Sequence, residues 1–389
     1  MKKILLLLAL VFSVFIFAGC SNDTEVDRQE ETTAAAEETE PVEETGEAVA
    51  EETEAETQNA DENPGYVRSH LTGEWIDEEI GAKRPIAVMI NNIQAAIPQS
   101  GISHADVIYE CMVEGSLTRL MALFQDVEGL DKIGPVRSAR TYFVYLADEW
   151  NAFYFHFGQC EYAKPYLEAY ITQNVNGVLG SDGNAFYRTN DRPAPHNAYT
   201  SGDRIEAILE EKAESSGYIR NLDEFYSVLQ DTYTTEIEPE YKEHFQFAAD
   251  DEVVTLDDGV TAENITVGFT TNDSTFTYDS ATGKYLHSQY GGPHIDQETG
   301  EQLAFDNVLI LYSEKSDYYG TQYLQFDLWS DGDGYYITQG KAIPIRWIKN
   351  TEWGPMEFVD ESGNEITVNQ GKTWISIVPT QDQDKTVIE

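Results

Sequence analysis

About ten short apolar runs, many of them alternating with polar residues, follow residue 240, and they limit the possible folds more than any other feature. Turn-forming stretches such as SATG, DGDG and ESGN separate the runs, and the helical pattern found earlier in the chain disappears. Residues 241–389 are therefore predicted to form a mostly antiparallel, β-rich domain. Within it, SDGDG at 330–334 is interpreted as a hairpin turn rather than a calcium loop, because the later ligands of such a loop are missing.

Residues 64–240 show a different pattern, in which β-type runs alternate with helical segments, and they are predicted to form an N-terminal mixed α/β domain. The overall fold class is thus α+β. A buried helix is expected from about Ser138 to Trp150, capped by Ser138, and an amphipathic helix over 201–215, capped by Thr200 or Ser201. The strand runs are RPIAVMINN at 84–92, ADVIYECMV at 105–113, its hairpin partner at 117–126, and AFYFHFG at 152–158.

The first 63 residues carry signals for export and tethering. Residues 1–20 combine two lysines, an apolar run and small residues before Cys20, which is typical of a bacterial lipoprotein signal peptide. Fatty acyl chains such as palmitate on Cys20 would anchor the protein to the outer face of the cell membrane. Residues 21–63 contain 17 acidic residues, one basic residue and no aromatic residue. This composition predicts a disordered acidic linker, which could also dock a basic protein partner.

The charge of the chain excludes several functions. The net charge is −46, and residues 64–389 keep −32 of it, so general nucleic-acid binding is not expected. The seven histidines are scattered and the cysteines lack zinc-type spacing, so we expect no metal and no cofactor. Cys111 and Cys160 both follow strand-like runs and could form a disulfide or remain two buried thiols.

Arg137 and Arg140 stand out because they lie where a buried helix is expected to begin. The helix dipole disfavours cations at that end, so a bound anion would explain their position. Internal pairing with acids such as Glu110, Glu114 or Asp148 would explain it equally well. Glu110, Glu114 and Arg119 lie together in YECMVEGSLTRLM at 109–121, and they are either partners of these arginines or part of the solvated turn of a hairpin.

A second polar cluster, YRTNDRPAPHNAYTS at 187–201, lies in a loop stiffened by two prolines. Dense polar side chains in a rigid loop favour binding or catalysis, although they can also satisfy their own backbone. A histidine in the turn GGPHID at 291–296 adds a weaker candidate. The complete set of candidate ligand-binding residues is Arg137, Arg140, Arg188, Asp191, Arg192, His196, Glu114 and His294.

Several of these segments together resemble the YerB-like family of bacterial lipoproteins. The resemblance covers roughly residues 80–380 and is carried by RPIAVMINN, ADVIYECMVEGSLTRLMALF, IGPVRSAR, RPAPHNAYTS and NVLILY. It implies an anchored envelope protein with an N-terminal α/β part and a C-terminal β-rich part. The biochemical function of that family is unknown, and the resemblance assigns no catalytic residues.

Two classes of function follow from the sequence. The first is an anchored binding or accessory protein that recognises an anionic component of the cell envelope, such as a carboxylate, a phosphate polymer or an acidic protein tail. The second is an envelope hydrolase or transferase in which His196 or His294 acts as a base, oriented by Asp191 or Glu114. The first is favoured because no arrangement of nucleophile and base is recognisable.

Overall fold

The structure is a computed structural model, and it describes residues 63–169, 172–232, 243–350 and 354–389. The predicted signal peptide, Cys20 and nearly all of the predicted linker lie outside the described residues. None of the helices within the described ranges combines the length and the apolar character needed to cross a membrane.

The described residues of the N-terminal part form nine strands and five α-helices, besides short 3-10 turns. The strands are β1 (Tyr66–Arg68), β2 (Trp75–Asp77), β3 (Ile86–Asn91), β4 (Val107–Met112), β5 (Thr118–Phe124), β6 (Phe153–His156), β7 (Asn174–Asn176), β8 (Tyr187–Arg188) and β9 (Ala198–Tyr199). The α-helices are α1 (Glu78–Gly81), α2 (Thr141–Glu149), α3 (Lys164–Leu167), α4 (Gly202–Ser216) and α5 (Leu222–Thr232).

The described residues of the C-terminal part are strand-rich, as predicted. Their strands are β10 (Gln246–Phe247), β11 (Val260–Thr261), β12 (Asn264–Thr266), β13 (Thr275–Asp279), β14 (Lys284–Gln289), β15 (Gly292–Pro293), β16 (Ala304–Phe305), β17 (Asn307–Ser313), β18 (Lys315–Asp317), β19 (Leu324–Phe326), β20 (Asp331–Thr338), β21 (Lys341–Ile348), β22 (Glu357–Val359), β23 (Thr367–Val368), β24 (Thr373–Pro379) and β25 (Val387–Ile388). Most of their pairings are antiparallel, so the predicted α+β class is confirmed.

An eleven-stranded mixed sheet, the main sheet, dominates the described structure. Its order is β11–β21–β20–β17–β24–β4–β5–β3–β6–β7, with β22 added beside β21. β24 lies between β17 and β4 and runs parallel to both, so strands from both predicted domains share one sheet. The boundary between two domains near residue 240 remains a prediction. In the main sheet, strands from before and after this boundary are hydrogen-bonded to each other. β4 and β5 form the antiparallel hairpin expected from the sequence.

The main sheet is buried on both faces, which explains why its strands read as nearly continuous apolar runs. Side chains alternate between two hydrophobic cores: in β3, Ala87 and Met89 contribute to one core, whereas Val88 and Ile90 contribute to the other. The first core includes α2, in which every residue is buried. The second core lies under α4 and a six-stranded antiparallel sheet built around β12–β14.

Two local predictions can be compared directly with these elements. α4 begins after Ser201, whose hydroxyl accepts the amide of Arg204, as the predicted cap requires. The interpretation of SDGDG as a turn is wrong, because Asp331 to Gly334 form the first half of β20. Glycine is needed there for close packing: a Cβ on Gly334 would lie 2.6 Å from the carbonyl oxygen of Ile310 in the neighbouring strand.

Candidate functional site

Residues 133–140, with the sequence IGPVRSAR, cross one end of the main sheet and join three parts of the fold. The amide of Arg137 donates to the carbonyl of Met89 at 2.8 Å, and its carbonyl accepts the amide of Phe157 at 2.9 Å. A further backbone hydrogen bond reaches Ala198 in the proline-stiffened loop. Because the backbone is held on several sides, the segment presents its arginines from a fixed position.

This segment lies where β3, β6 and β7 end. The three strands are parallel, so their carboxyl ends meet at the same end of the sheet. β5 runs in the opposite direction and begins there, which places Arg119 directly opposite Asn91, the last residue of β3. Ligands of open sheets with parallel strands characteristically bind outside the carboxyl ends of those strands. The geometry therefore makes this end of the sheet the candidate site.

The N-cap residue of α2 is Arg140, and the prediction that Ser138 caps the helix is wrong. The backbone remains extended for two more residues, because Ala139 forms a bridge with Gln159. The hydroxyl of Ser138 donates instead to the carbonyl of Phe157 at 3.1 Å. The helix consequently begins directly after the second arginine of the motif.

Arg140 forms a bidentate ion pair with Glu114, which lies in the turn between β4 and β5. Nε and Nη2 of Arg140 lie 2.7 and 2.6 Å from the two carboxylate oxygens. Burial lowers the pKa of Arg140, but the hydrogen bonds and charge of Glu114 outweigh it and raise the pKa overall. The side chains are 10% and 19% exposed, so water screens the pair little. Internal pairing thus accounts for Arg140.

Arg119 and Arg137 are not neutralised in the same way. Arg119 is buried, donates to the carbonyl of Ser138 through Nη1, and has no hydrogen-bond partner for Nε. Burial, together with the charges of Arg140 and Arg137, lowers its pKa to about 9. Arg137 makes one long hydrogen bond, 3.4 Å to the carbonyl of Pro195, and its Nε also lacks a partner.

The two loop arginines differ in their roles. Arg188 is exposed, stacks over the ring of Phe157 at 4.6 Å, and donates to the side chain of Asn197 at 2.7 Å. Its charge also lowers the pKa of Arg137, after the larger effects of burial and Arg140, so the two guanidiniums are neighbours. Arg192 instead donates to backbone carbonyls, including that of Pro98 at 2.6 Å, and so fastens the loop to the preceding segment.

His196 lies at the edge of this group, where it accepts a hydrogen bond from the side-chain amide of Asn91 at 2.8 Å. Burial and the charges of Arg137 and Arg192 lower its pKa. Asp191 is exposed, and a hydrogen bond from Thr189, together with the charges of Lys132 and Arg192, lowers its pKa. Five of the predicted residues, with Arg119 added, therefore form what we call the arginine cluster: Arg119, Arg137, Arg140, Glu114, Arg188 and His196.

His294 is not part of the arginine cluster. It is 2% exposed and sits in the core, bonded to His287 at 2.8 Å and to the side chain of Gln99 at 2.8 Å. Burial lowers its pKa to about 3, so it is neutral at physiological pH. In the described residues neither His294 nor His196 has a hydrogen bond to a carboxylate, which the proposed base of a hydrolase would need.

The histidines of the core continue into a buried chain of hydrogen bonds that ends at Glu110. His287 bonds to the hydroxyl of Ser274 at 2.9 Å, and that hydroxyl lies 2.9 Å from Glu110. Burial raises the pKa of Glu110 to about 7, although hydrogen bonds from Thr118, Ser274, Asn272 and Asn92 oppose the shift. Since Glu110 and His287 are fully buried, a substrate in solution cannot reach these hydrogen-bonded side chains.

Two further observations bear on the sequence predictions. Cys111 and Cys160 are both buried free thiols. Within the described ranges, no three His, Cys, Asp or Glu side chains converge as they would around a metal ion. The sequence alone indicates Arg119 only as a possible partner of Arg137 and Arg140. Its position opposite Asn91, the last residue of β3, adds it to the site.

Comparison with known proteins agrees with this architecture. DUF3048 is a protein family of unknown function with two domains. Its N-terminal domain matches residues 71–218, and its C-terminal domain matches residues 265–375. The protein named "Putative lipoprotein YerB" of Bacillus subtilis (strain 168) is 31% identical over 334 residues, which are 81% of this chain and 87% of that protein.

A solved structure gives the same result. The crystal structure of the YerB protein from Bacillus subtilis aligns with a TM-score of 0.68 at 30% identity, and the alignment covers 83% of this chain and 99% of that one. The resemblance inferred from IGPVRSAR and the other segments is therefore confirmed: the chain belongs to the two-part, YerB-like DUF3048 family of unknown function.

Proposed function

We propose that this protein is an extracytoplasmic binding protein, anchored to the cell membrane through lipidated Cys20, that recognises an anionic group of a cell-envelope component through the arginine cluster. A Bacillus relative with lipoprotein in its name supports the anchor. The predicted acidic linker, residues 21–63, would hold the folded part away from an anionic membrane surface. Binding is favoured over hydrolysis because neither candidate histidine has the carboxylate partner that a base requires.

One observation carries the proposal: positive charge at the end of the main sheet exceeds the negative charge that neutralises it. Glu114 pairs with Arg140, whereas Arg119 and Arg137 each keep an Nε without a partner. A buried guanidinium without full compensation is costly, and a chain with 70 acidic residues could easily have supplied a second carboxylate. An anion bound between these arginines would supply the missing charge and accept their free donors.

Arginine suits this role because its planar fork engages a carboxylate or phosphate with two hydrogen bonds, which lysine cannot reproduce. α2 adds to the attraction, because its nine residues begin directly behind Arg140 and their amides carry partial positive charge at that end. Arg188 and Arg137 would make the first contact, since both are accessible to solvent, and Arg119 would act from below.

The proposal can be tested by co-sedimentation with isolated cell walls and membranes. The full chain would carry Cys20→Ser, so that a lipid anchor contributes nothing to sedimentation. We expect binding to weaken as sodium chloride rises from about 150 to about 500 mM, because the added salt screens the attraction between exposed charges. Combining Arg137→Gln with Arg188→Gln should abolish it.

The matched control combines Arg346→Gln on β21 with Lys164→Gln on α3, which removes the same two positive charges from exposed side chains that pair with Asp331 and Glu168. It should leave sedimentation unchanged. Equal binding by the control and by the double variant would refute recognition through the arginine cluster.

A further inference from the structure

A second surface, which adjoins the arginine cluster at one end, contains an unusual number of aromatic side chains. It is formed by α2, α3, the hairpin of β18 and β19, and the segment that follows the hairpin. Trp329 is 45% exposed and Tyr319, at the hairpin tip, is fully exposed. Tryptophan and tyrosine on a monomer surface usually mark a binding site when they are clustered around a cavity.

Such a cavity, of about 430 Å³, lies beside Trp329. Its apolar floor is made by Tyr145 of α2 and by Phe326 and Leu328, which are buried. The rings of Trp329 and Tyr145 lie 4.7 Å apart and are inclined by 45°, so the indole stands as one wall of the cavity. The volume falls within the range typical of small-molecule sites.

The rim of the cavity is polar and its groups are available. Glu314, Ser316 and Gln325 line it and are exposed, and among the described residues their side chains have no intramolecular hydrogen bond. The indole N–H of Trp329 also lacks a partner in the described part of the chain. The site therefore combines an aromatic wall with several unused donors and acceptors.

We propose that this cavity, the Trp329 pocket, binds a pyranose ring of a carbohydrate. A pyranose has an apolar face of C–H groups, which packs on an aromatic ring, and a rim of hydroxyls, which pair with carboxylates, amides and alcohols. An acyl chain or apolar peptide would leave the carboxylate and amide of the rim desolvated without partners. A small organic cation would fit the carboxylates, but Lys315 lines the same cavity and opposes it.

Further aromatic side chains form a row that continues beyond the pocket, which indicates an oligosaccharide rather than a single sugar as the ligand. Tyr145 contacts Tyr166 of α3, and Tyr162, two residues before α3, stacks in parallel at 3.8 Å on Tyr318 of the hairpin. Tyr318 also donates to the hydroxyl of Thr141, the first residue of α2.

The row ends at the arginine cluster. The guanidinium carbon of Arg140 lies 5.4 Å from the ring of Tyr323, which in turn contacts Tyr162. Thr141 and Tyr145 are four residues apart, about 6 Å along the helix axis. A glycan with an anionic substituent could thus contact both places at once; this last step rests on the proposed function, whereas the pocket does not.

The experiment uses the full chain with Cys20→Ser on an array of soluble oligosaccharides built from glucose, galactose, mannose, N-acetylglucosamine and glucuronic acid. Any hit is then titrated by isothermal calorimetry. We expect at least one neutral oligosaccharide to bind, and Trp329→Leu to weaken it at least tenfold. Trp329→Phe, which keeps an aromatic face, should retain most of the affinity.

The control is Tyr66→Ala, which removes a comparably exposed aromatic side chain, 53% exposed, from β1. It should leave binding unchanged. Binding of a neutral oligosaccharide that survives in Arg137→Gln supports the pocket even if the proposed function fails.

Three results would overturn the proposal: no oligosaccharide binds, Trp329→Leu binds as the unmodified chain does, or choline binds in a Trp329-dependent manner while sugars do not. Melting temperatures of all variants show whether any loss reflects unfolding, and retention of affinity by Trp329→Phe but not by Trp329→Leu separates stacking on a sugar from simple apolar contact.

Discussion

Glu110 offers a sharp test of the structure, because its environment predicts how the stability of the protein depends on pH. The side-chain amide of Gln99 donates to Asn92, so its oxygen is the atom that accepts from His294. With neutral histidines, His294 then accepts from His287, and His287 accepts from the hydroxyl of Ser274. The hydroxyl of Ser274 then accepts a hydrogen bond from protonated Glu110, whereas it donates to the carboxylate when Glu110 is ionised. Every hydrogen bond in this buried chain is satisfied when Glu110 is protonated.

The size of the expected change in the free energy of unfolding follows from the pKa of Glu110. Burial is the largest influence and raises the pKa of Glu110 from 4.5 to about 7. A carboxyl whose pKa is higher in the folded state stabilises the fold fully below its unfolded pKa, and that stability is lost as pH rises through the folded pKa. A pKa difference of about 2.5 corresponds to about 3 kcal/mol in the free energy of unfolding. This stabilisation is lost between about pH 4.5 and pH 7.5.

The perturbation is Glu110→Gln, which mimics the protonated acid. Its amide can donate to Ser274, and its oxygen can accept from Asn272, which lies 2.6 Å from Glu110. We expect the variant to match the unmodified chain near pH 4.5 and to exceed its free energy of unfolding by about 3 kcal/mol at pH 8. Urea unfolding followed by fluorescence at half-unit pH steps measures this difference.

Other buried groups affect both proteins equally and cancel in the difference. Glu263→Gln, which neutralises an exposed glutamate, serves as the control and should give a difference that is flat with pH. The reasoning is refuted if Glu110→Gln destabilises the protein at pH 8, or if its advantage does not grow between pH 5 and pH 7.5.

Four further predictions concern the anchor, the linker and the arginine cluster. Cys20→Ser should release the protein into the medium, and persistence in the membrane fraction would exclude lipidation as the anchor. A chain that starts near Pro64 should melt within a few degrees of the mature chain, because residues 21–63 are predicted to remain disordered; a larger drop would mean that they pack on the fold. Arg140→Gln should destabilise by about 3 kcal/mol, since it leaves Glu114 unpaired in a largely buried site. Arg137→Gln should change stability by less than about 1 kcal/mol, because a single 3.4 Å hydrogen bond is lost and repulsion between arginines is relieved; urea unfolding that ranks these two variants in the opposite order would contradict the assignment.

Local features were predictable from the sequence because their causes lie close together in the chain. The cap and face of α4, the hairpin of β4 and β5, and the strand-rich C-terminal part all follow from the spacing of apolar and turn residues. The start of α2 was placed two or three residues too early, because the bridge from Ala139 to Gln159 keeps the backbone extended. A local capping rule cannot include a contact made by a distant strand.

The candidate site could be predicted only in part, for the same reason. Glu114 was one of several acids that could pair with Arg140, and only the hairpin shows which one lies within reach. The sequence of the turn containing His294 resembles an exposed hairpin, yet the ring is buried against Gln99, 195 residues away. The role of Trp329 depends on α2, far from it in sequence, and so had no signal in its own neighbourhood.

The position of β24 has a consequence for how the chain reaches its final state. Val107 pairs with Thr373, so these two neighbouring central strands are separated by 266 residues of chain. Contacts of such long sequence separation form slowly, because a long loop must close before any of them is gained. A nascent chain emerging from its N-terminus would leave the hydrogen-bonding edge of β4 open until β24, Thr373–Pro379, had appeared. Removal of β24 should therefore be far more damaging than its seven residues indicate, because it would expose the facing edges of both β17 and β4.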